Sequence, residues 1–397
     1  MRLAHLADAH LGFRQFQRLD AAGVNQREAD VALAFRRAID AVIAHAPDLV
    51  VIAGDLFHAV RPTNRSIVEA FTQLARLRQT LPAAPVVLIA GNHDTPRSSE
   101  AGSILKLMAS LGVDVADEGE RRFAYPALGV SVLAVPHAAL LAGRDTRRWE
   151  PDAAARWNVL VTHPEVAGYF PEGGESDYGG VRVEPEELAG AWSYVALGHF
   201  HVVTPVAPRA FYSGSLEYTS PNIWGERRLE LQRGVTKGIL LADLEHNHVE
   251  PVSLPPERVV HDLPPLDAAG MTAAGLDAAI AGRLAGIPGG ADGVAGTVTR
   301  LVVENVPATL AHALDHAAIR AVRAQALHFQ LDLRRPAPTW VTGVGGPPGG
   351  PRRPLPDLLA DYLARRPLPA DLDRSRFVAL GTAYLETAMR EAEEAGA

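Results

Sequence analysis

The chain has 397 residues, no cysteine and a formal net charge of −8, with 47% hydrophobic and 21% charged residues. That length allows two or three domains with cores of their own, and the balance is ordinary for a globular protein. The lack of thiols excludes disulfides, thiolate metal sites and cysteine nucleophiles, so any metal must be held by nitrogen and oxygen. The acidic balance does not favour a nucleic-acid binder and leaves only local basic groups for that purpose.

In chain order, the first element is an apolar run at 3–7, read as a buried strand and followed by Asp8-Ala9-His10. Arg14 and Arg18 come next, then a helix over 28–46 with Val31, Phe35, Ile39, Val42 and Ile43 at helical spacing. A second run at 49–53 leads into Gly54-Asp55-Leu56-Phe57-His58, with Arg61 and Arg65 just beyond and a helix over 66–78. A third run at 86–90 leads into Gly91-Asn92-His93-Asp94, then Arg97 and a helix over 103–111. After residue 128 the pattern turns strand-like at 130–135, 157–161, 194–197, 211–213 and 237–242. Two of those runs precede Thr162-His163 and Gly198-His199-Phe200-His201, and Arg144, Arg147, Arg148, Arg227 and Arg228 add further local charge. Alternating strands and helices over the first ~245 residues point to an α/β domain of two sheets with flanking helices.

A Pro-rich stretch at 251–265 marks a boundary. Beyond it come a helix (273–284), a Gly-rich turn (286–296), a strand (297–303), a second helix (308–324) and a final strand (326–333), a small α+β unit. Residues 336–354 read as a flexible Pro/Gly-rich linker. Helical segments at 358–365 and 374–394 follow, the second with Phe377, Leu380, Tyr384, Leu385 and Met389 on one apolar stripe that needs a surface to cover it. The expected organisation is thus 1–250, 251–336, 337–355 (linker) and 356–397 (helical tail). No apolar stretch approaches the roughly 18–20 residues of a membrane span. The N-terminus enters a strand directly, which is unlike a signal peptide and points to the cytoplasm.

The polar clusters carry the chemistry. Ligand-type residues at several strand ends converge on one edge of a sheet, where open α/β folds place their sites. Asp8 and His10, two apart on an extended segment, point the same way and form a pincer for one ion. Asp55, after a glycine that lets the backbone turn, has two oxygens able to bridge two cations. In the third cluster the Asn92 oxygen can ligate while His93 faces substrate and Asp94 orients its ring. His199 and His201 either serve one ion each or converge. One bridging carboxylate, several imidazoles and an amide oxygen suit a pair of hard or borderline cations and metal-assisted phosphoester hydrolysis.

The series Asp-x-His, Gly-Asp, Gly-Asn-His-Asp, His and Gly-His-x-His resembles that of the calcineurin-like metallophosphoesterases. The stretches Leu6-Ala7-Asp8-Ala9-His10-Leu11-Gly12 and Ile52-Ala53-Gly54-Asp55-Leu56-Phe57-His58 are similar to the SbcD branch, the double-strand-break repair nucleases. The resemblance implies a four-layer α/β/β/α metallophosphoesterase nuclease domain (1–250), an α+β capping domain (251–336), and a C-terminal helical tail (356–397) that binds an SbcC-type ATPase. It implies one Mn2+ held by Asp8, His10, Asp55 and His201, and a second held by Asp55, Asn92, His163 and His199, roughly 3.5–4 Å apart. Mg2+, Fe2+ or Zn2+ are open alternatives for such a donor set. His93 would protonate the leaving 3′ oxygen with Asp94 holding its ring, and His58 would help position the scissile nucleotide. Arg14, Arg18, Arg61 and Arg65 would contact DNA phosphates rather than bases. A homodimer through helices 66–77 and 103–111, and a cytoplasmic, nucleoid-associated location, are also implied. The function expected is a metal-dependent DNA exonuclease/endonuclease. The alternatives are a phosphodiesterase or phosphatase acting on small phosphoesters without a DNA partner, and a DNA-tethering scaffold with a vestigial site.

Overall fold

The computed structural model of the chain describes residues 1–96, 102–142, 149–169, 180–188, 190–336, 354–366, 368 and 372–395. Arg97, Arg144, Arg147, Arg148 and most of the expected 337–355 linker lie outside the described residues. The chain divides into two units, Met1–Glu304 with Ala308–Leu333, and Asn305–Pro307 with Arg334–Ala397.

The first unit starts with β1 (Arg2–Leu6), α1 (Gln26–His45), β2 (Leu49–Ile52), α2 (Asn64–Thr80) and β3 (Val86–Ile89). The three strands run parallel and in order. α1 begins where Asn25 accepts hydrogen bonds from the N–H groups of Arg27 and Glu28, and α2 where Thr63 accepts from Ser66 N–H. Such caps satisfy donors that a helix start leaves unpaired, which sets both starts a little ahead of where the apolar spacing alone puts them. The apolar stretch expected as a helix over 103–111 is a 3₁₀ segment, Ile104–Leu111, capped by Ser103. It delivers β4 (Asp114–Ala116) to the edge of the same sheet.

The second sheet is built from β5 (Arg121–Tyr125), β6 (Val130–Val135), β7 (Trp157–Thr162), β10 (Tyr194–Leu197), β11 (Thr204–Ala207) and β12 (Ala210–Tyr212), in spatial order β11-β12-β10-β7-β6-β5. The short helix α3 (His137–Ala142) and a parallel ribbon of β8 (Glu165–Val166) and β9 (Arg182–Val183) also belong to this half. The chain then forms α4 (Ile223–Arg233) and returns through β13 (Gly238–Asp243) and β14 (His248–Ser253). These complete the first sheet in the order β14-β13-β1-β2-β3-β4.

Strand alternation places the core. Ala4, Leu6, Val50, Ile52, Val86 and Leu88 face α1 and α2, where Phe35, Ile39, Leu74 and Leu77 meet them. Their neighbours Leu3, Val51, Val87 and Ile89 face Val132, Val159, Val161 and Ala196 of the second sheet. Each such side chain, fully buried, contributes about 1.5–3 kcal/mol, so the two sheets are held face to face. Leu133, Val135, Leu160 and Leu197 turn outward onto Leu140 of α3, Val166, Val183 and Trp192. The result is a mixed α/β sandwich whose second sheet is covered by short segments rather than long helices.

The stretch expected as a Pro-rich boundary is largely sheet. Pro251 sits in β14, an edge strand, where a missing N–H breaks no ladder. β15 (Val260–Asp267) absorbs Pro264 and Pro265 at a register shift between Leu263 and Leu266. β15, β16 (Val298–Glu304) and β17 (His328–Leu333) form a parallel three-stranded sheet connected through α5 (Ala273–Ala285), α6 (Ala308–His312) and α7 (His316–Gln325). The single helix expected over 308–324 is two, because Asp315 caps α7 by accepting from the N–H groups of Ala317 and Ala318. In the second unit α8 (Leu355–Arg365) and α9 (Arg374–Ala395) form a hairpin, with Gly381 set against Leu363. Leu380, Tyr384 and Met389 are exposed on α9.

Candidate metal centre

The ends of β1, β2, β3, β7 and β10 lie side by side, and the loops leaving β1 and β2 are zipped together. Asp8 N–H donates to Gly54 O at 3.0 Å, His10 N–H to Asp55 O at 2.9 Å and Leu11 N–H to Leu56 O at 2.9 Å. Asp8 (φ 52°), His10 (φ 48°), Asp55 (φ 50°) and His199 (φ 95°) all occupy the left-handed region. Non-glycine residues adopt it at a cost and persist there where surrounding structure holds them, a habit of functional sites.

The zipped loops bring the expected donors together. His10 Nε2 is 3.0 Å from His201 Nε2 and 3.7 Å from Asp55 Oδ2. His163 Nε2 is 3.3 Å from Asp55 Oδ2, 3.1 Å from Asn92 Oδ1 and 3.8 Å from Asp8 Oδ1. His199 Nδ1 is 3.0 Å from the same Asn92 oxygen, its Nε2 lies 3.3 Å from Glu165 Oε1, and its N–H donates to Asp8 at 3.0 Å. Asp8 is thus within reach of both halves of the cluster, and Asp55 lies between His10 and His163. Asp8, His10, Asp55 and His163 are buried to 1% exposure or less. Gly91 makes room for Asp55: a Cβ there would collide with the Asp55 carboxylate and come within 2.6 Å of its backbone nitrogen.

The electrostatics favour positive charge at this place. Burial, reinforced by Asp55, pushes Asp8 up to about 7, while His163 pulls the other way. Burial also works against charge on Asp55, but His163, His10 and His93 outweigh it and hold that carboxyl well below the usual range. Burial opposes a proton on His163, yet Asp55 and Asp8 raise its pKa to about 9. Burial drives His10 and His201 well below the ordinary histidine range against the opposing pull of Asp55, with Lys237 adding to the effect on His201, so they stay in the neutral form that ligates.

Donor chemistry supplies the test of fit. Ala53 O can only accept, so it takes the Nδ1–H of His163 at 2.7 Å, and a cation that displaces the second proton would find the Nε2 lone pair facing Asn92 and Asp55. Two imidazole lone pairs, an amide oxygen and a carboxylate then crowd together at 3.0–3.3 Å. Ligands bonded to a cation at about 2.0–2.2 Å are spaced in this way. Two donor groups, Asp8 with His10 and His201, and Asp8 with Asp55 and His163, each place their ligating atoms within 4.8 Å of one another. The residues fit divalent cations.

His93 and His58 border the cluster. The His93 ring stacks on His58 at 5.0 Å between centroids and meets His10 edge-on at 4.9 Å. Contrary to the sequence expectation, Asp94 does not orient His93. His93 Nδ1 donates to His58 O at 2.9 Å, and the Asp94 carboxylate instead accepts from the N–H groups of Leu56 and Phe57 at 3.0 Å and Gly91 at 3.3 Å. A buried carboxylate satisfies the loop backbone there because a tight turn after β2 leaves those N–H groups without strand partners. His58 Nδ1 lies 3.3 Å from His10 Nδ1, and burial with the adjacent His93 lowers its pKa to about 4.

Of the expected DNA contacts, Arg61 and Arg65 are exposed. Arg14 pairs with Glu28 at 2.7 Å, and Arg18 donates to Ala324 O at 2.6 Å. Arg14 and Arg65 line an open recess of about 490 Å³ with Phe16, Asn25 and Thr63. Arg227 and Arg228 are paired with Glu230 and Asp262. Two residues were missed by sequence reasoning. Glu165 repeats the two-residue spacing of Asp8 and His10 after His163, a usable signal. Lys237, at the head of an apolar strand, carries no signal until the fold shows its Nζ on His201 O at 2.9 Å.

The calcineurin-like phosphoesterase family model matches residues 1–203. The chain belongs to this family. Among curated phosphoesterase relatives, it is 28% identical over 256 residues to the DNA double-strand break repair protein Mre11 of Thermoplasma acidophilum, covering 62% of this chain and 63% of that protein. It is 27% identical over 253 residues to the Mre11 of Sulfolobus acidocaldarius (62% and 60%) and 30% identical over 269 residues to that of Archaeoglobus fulgidus (61% and 57%). The chain therefore spans a little under two-thirds of the length of these relatives. No helix among the described residues is long and apolar enough to cross a membrane.

Proposed function

We propose that this phosphoesterase is a metal-dependent DNA nuclease that hydrolyses phosphodiester bonds in double-strand-break repair. The observation that carries the reading is the convergence of Asp8, His10, Asp55, Asn92, His163, His199 and His201 from five strand ends, four of them on left-handed backbone. The relatives named for double-strand break repair favour DNA as substrate. Asp8, His10, Asp55 and His201 would hold one cation, and Asp55, Asn92, His163 and His199 the other, with Mn2+ the proposed metal. Divalent cations bound there neutralise charge on the phosphoryl oxygens and lower the pKa of water.

The chain's own residues do the rest. His93, its Nδ1–H anchored on His58 O, would give the Nε2 proton of its doubly protonated ring to the leaving 3′ oxygen and return to the neutral Nδ1–H tautomer. His58, kept neutral, packs beside it to position the scissile nucleotide. Asp94 keeps the two loops in register. Arg14, Arg18, Arg61 and Arg65 contact phosphates without reading bases. The three-stranded unit serves as a capping domain, and the α8–α9 hairpin as the contact for an SbcC-type ATPase. A homodimer in the cytoplasm, associated with the nucleoid, completes the proposal.

The test is cleavage of linear double-stranded DNA with Mn2+. The parent chain cuts; Asp55→Ala loses both cutting and metal; His93→Ala loses about 10²–10⁴-fold in rate yet keeps its Mn2+ content. Turnover of a bis-aryl phosphodiester with no DNA cleavage, with or without the ATPase, would replace DNA by small phosphoesters. Loss of metal from His93→Ala would remove its assigned role.

A further inference from the structure

Glu165 lies outside the seven donors, yet its carboxylate is aimed at one of them. Its Oε1 is 3.3 Å from His199 Nε2, with the two side chains 16% and 3% exposed. A carboxylate can only accept, so it holds a proton on Nε2; Nδ1 faces Asn92 Oδ1, another acceptor, at 3.0 Å and would offer its lone pair to a cation held between them. That is the tautomer in which His199 can ligate through Nδ1. Ala53 O imposes the matching choice on His163, on the other side of the same asparagine oxygen.

Two features hold Glu165 in this position. The Tyr212 hydroxyl accepts from Val166 N–H at 2.9 Å and donates to Pro164 O at 2.9 Å, pinning the backbone on both sides of Glu165 to β12. Glu165 N–H donates to Val181 O at 2.9 Å, beside Gly180. A Cβ on Gly180 would occupy the space of the Glu165 carboxylate itself. The carboxylate therefore fits only because residue 180 is a glycine.

We propose that Glu165 is a positioning residue of the metal centre: by accepting the Nε2–H of His199 it sets the tautomer and ring orientation with which His199 binds the second cation. The inference rests on the two-cation reading above. A carboxylate behind a ligating histidine also raises the basicity of the ligating nitrogen, and losing one weakens metal affinity by about 10–100-fold.

The experiment is Mn2+ titration of the full-length chain by calorimetry, with electron paramagnetic resonance to distinguish one bound ion from a coupled pair. It is run on the parent, Glu165→Ala, Glu165→Gln and Gly180→Ala, with thermal unfolding of each metal-free protein as the control for folding. Glu165→Ala weakens the second Mn2+ by about 10–100-fold and abolishes the coupled spectrum, leaving the first ion in place. Glu165→Gln, which keeps an acceptor oxygen but not the charge, recovers part of the loss. Gly180→Ala, which keeps the carboxylate but pushes it off His199, behaves like Glu165→Ala. The inference is overturned if Glu165→Ala or Gly180→Ala, folded as the parent is, binds both ions with parental affinity. It is equally overturned if affinity falls only in step with metal-free stability. A parent chain that binds no Mn2+ pair would instead sink the two-cation reading.

Discussion

Replacing Lys237 with Met removes an ammonium from a buried cluster behind the metal centre. Lys237 Nζ pairs with Glu226, lies 3.2 Å from Glu230, and donates to Ser215 Oγ at 2.8 Å and to His201 O at 2.9 Å. The lysine and Glu230 are each 1% exposed. Burial works against the ammonium, but Glu226 and Glu230 outweigh it and raise its pKa, so the cluster is ionic. Met keeps most of the side-chain volume, so the expected loss is electrostatic rather than a cavity. Glu226 is left without its cation, Glu230 keeps only Arg227 as a counter-ion at 3.6 Å, and the His201 carbonyl keeps only the Ser215 donor, its N–H at 3.2 Å. Breaking a buried pair on one side costs about 3–5 kcal/mol. With an m-value of about 3 kcal/mol/M, the urea midpoint of the metal-free protein falls by roughly 1–1.7 M. Adding Glu226→Gln to the lysine variant removes one stranded charge and recovers part of the loss. The first Mn2+ should also bind more weakly, because His201 loses a backbone restraint. A midpoint within about 0.3 M of the parent, with unchanged Mn2+ affinity, would refute the reasoning.

His5 is fully buried between the sheets, its Nδ1 3.0 Å from the Tyr194 hydroxyl, and burial lowers its pKa to about 3. Since the folded pKa lies below the unfolded one, its stabilising share is full above pH ~6.5 and drains away as pH falls toward 3, at up to ~1.4 kcal/mol per unit. His5→Phe should flatten the metal-free stability curve between those limits while costing about 1 kcal/mol at pH 8, where Tyr194 loses its partner. An unchanged slope would show that His5 does not drive the acid loss. Gly91→Ala places a Cβ against the Asp55 carboxylate and within 2.6 Å of its backbone nitrogen, which cannot swing away. Mn2+ content measured by elemental analysis should drop below that of the parent, and retention of two ions would contradict the proposed bridging role. Saturating Mn2+ at 100 times its dissociation constant should stabilise the parent by about 2.7 kcal/mol over the chelated protein, and Asp55→Ala by almost nothing, as read by thermal unfolding.

The strand ends were legible because each depends on a short local pattern. An apolar run long enough for a buried strand, followed at once by Asp-x-His, Gly-Asp or Gly-Asn-His-Asp, states both the element and its cargo. α1 and α2 followed from apolar spacing in the same way. The split between α6 and α7 escaped because an Asp inside a helical pattern reads as an exposed polar residue until it is seen capping a new start. Sheet was missed over 251–265 because proline argues against strands in general, whereas an edge strand and a register shift both tolerate it. Asp94 was placed beside His93 by adjacency in sequence, but the folded turn gives its carboxylate three backbone N–H groups closer to hand.

What the amino-acid order determined by itself was the chemical inventory: the donor types, their arrival at strand ends, and an α/β alternation to carry them. Pairing belongs to tertiary structure alone. Asn92 meets His199 across 107 positions and His10 meets His201 across 191, and neither meeting leaves a local trace. The same holds for Glu165 behind His199 and for Lys237 beneath His201. Such groups gain their function from what long-range strand pairing sets beside them. Burial then gives each contact its strength, because withdrawing these charges from water makes every unpaired one costly.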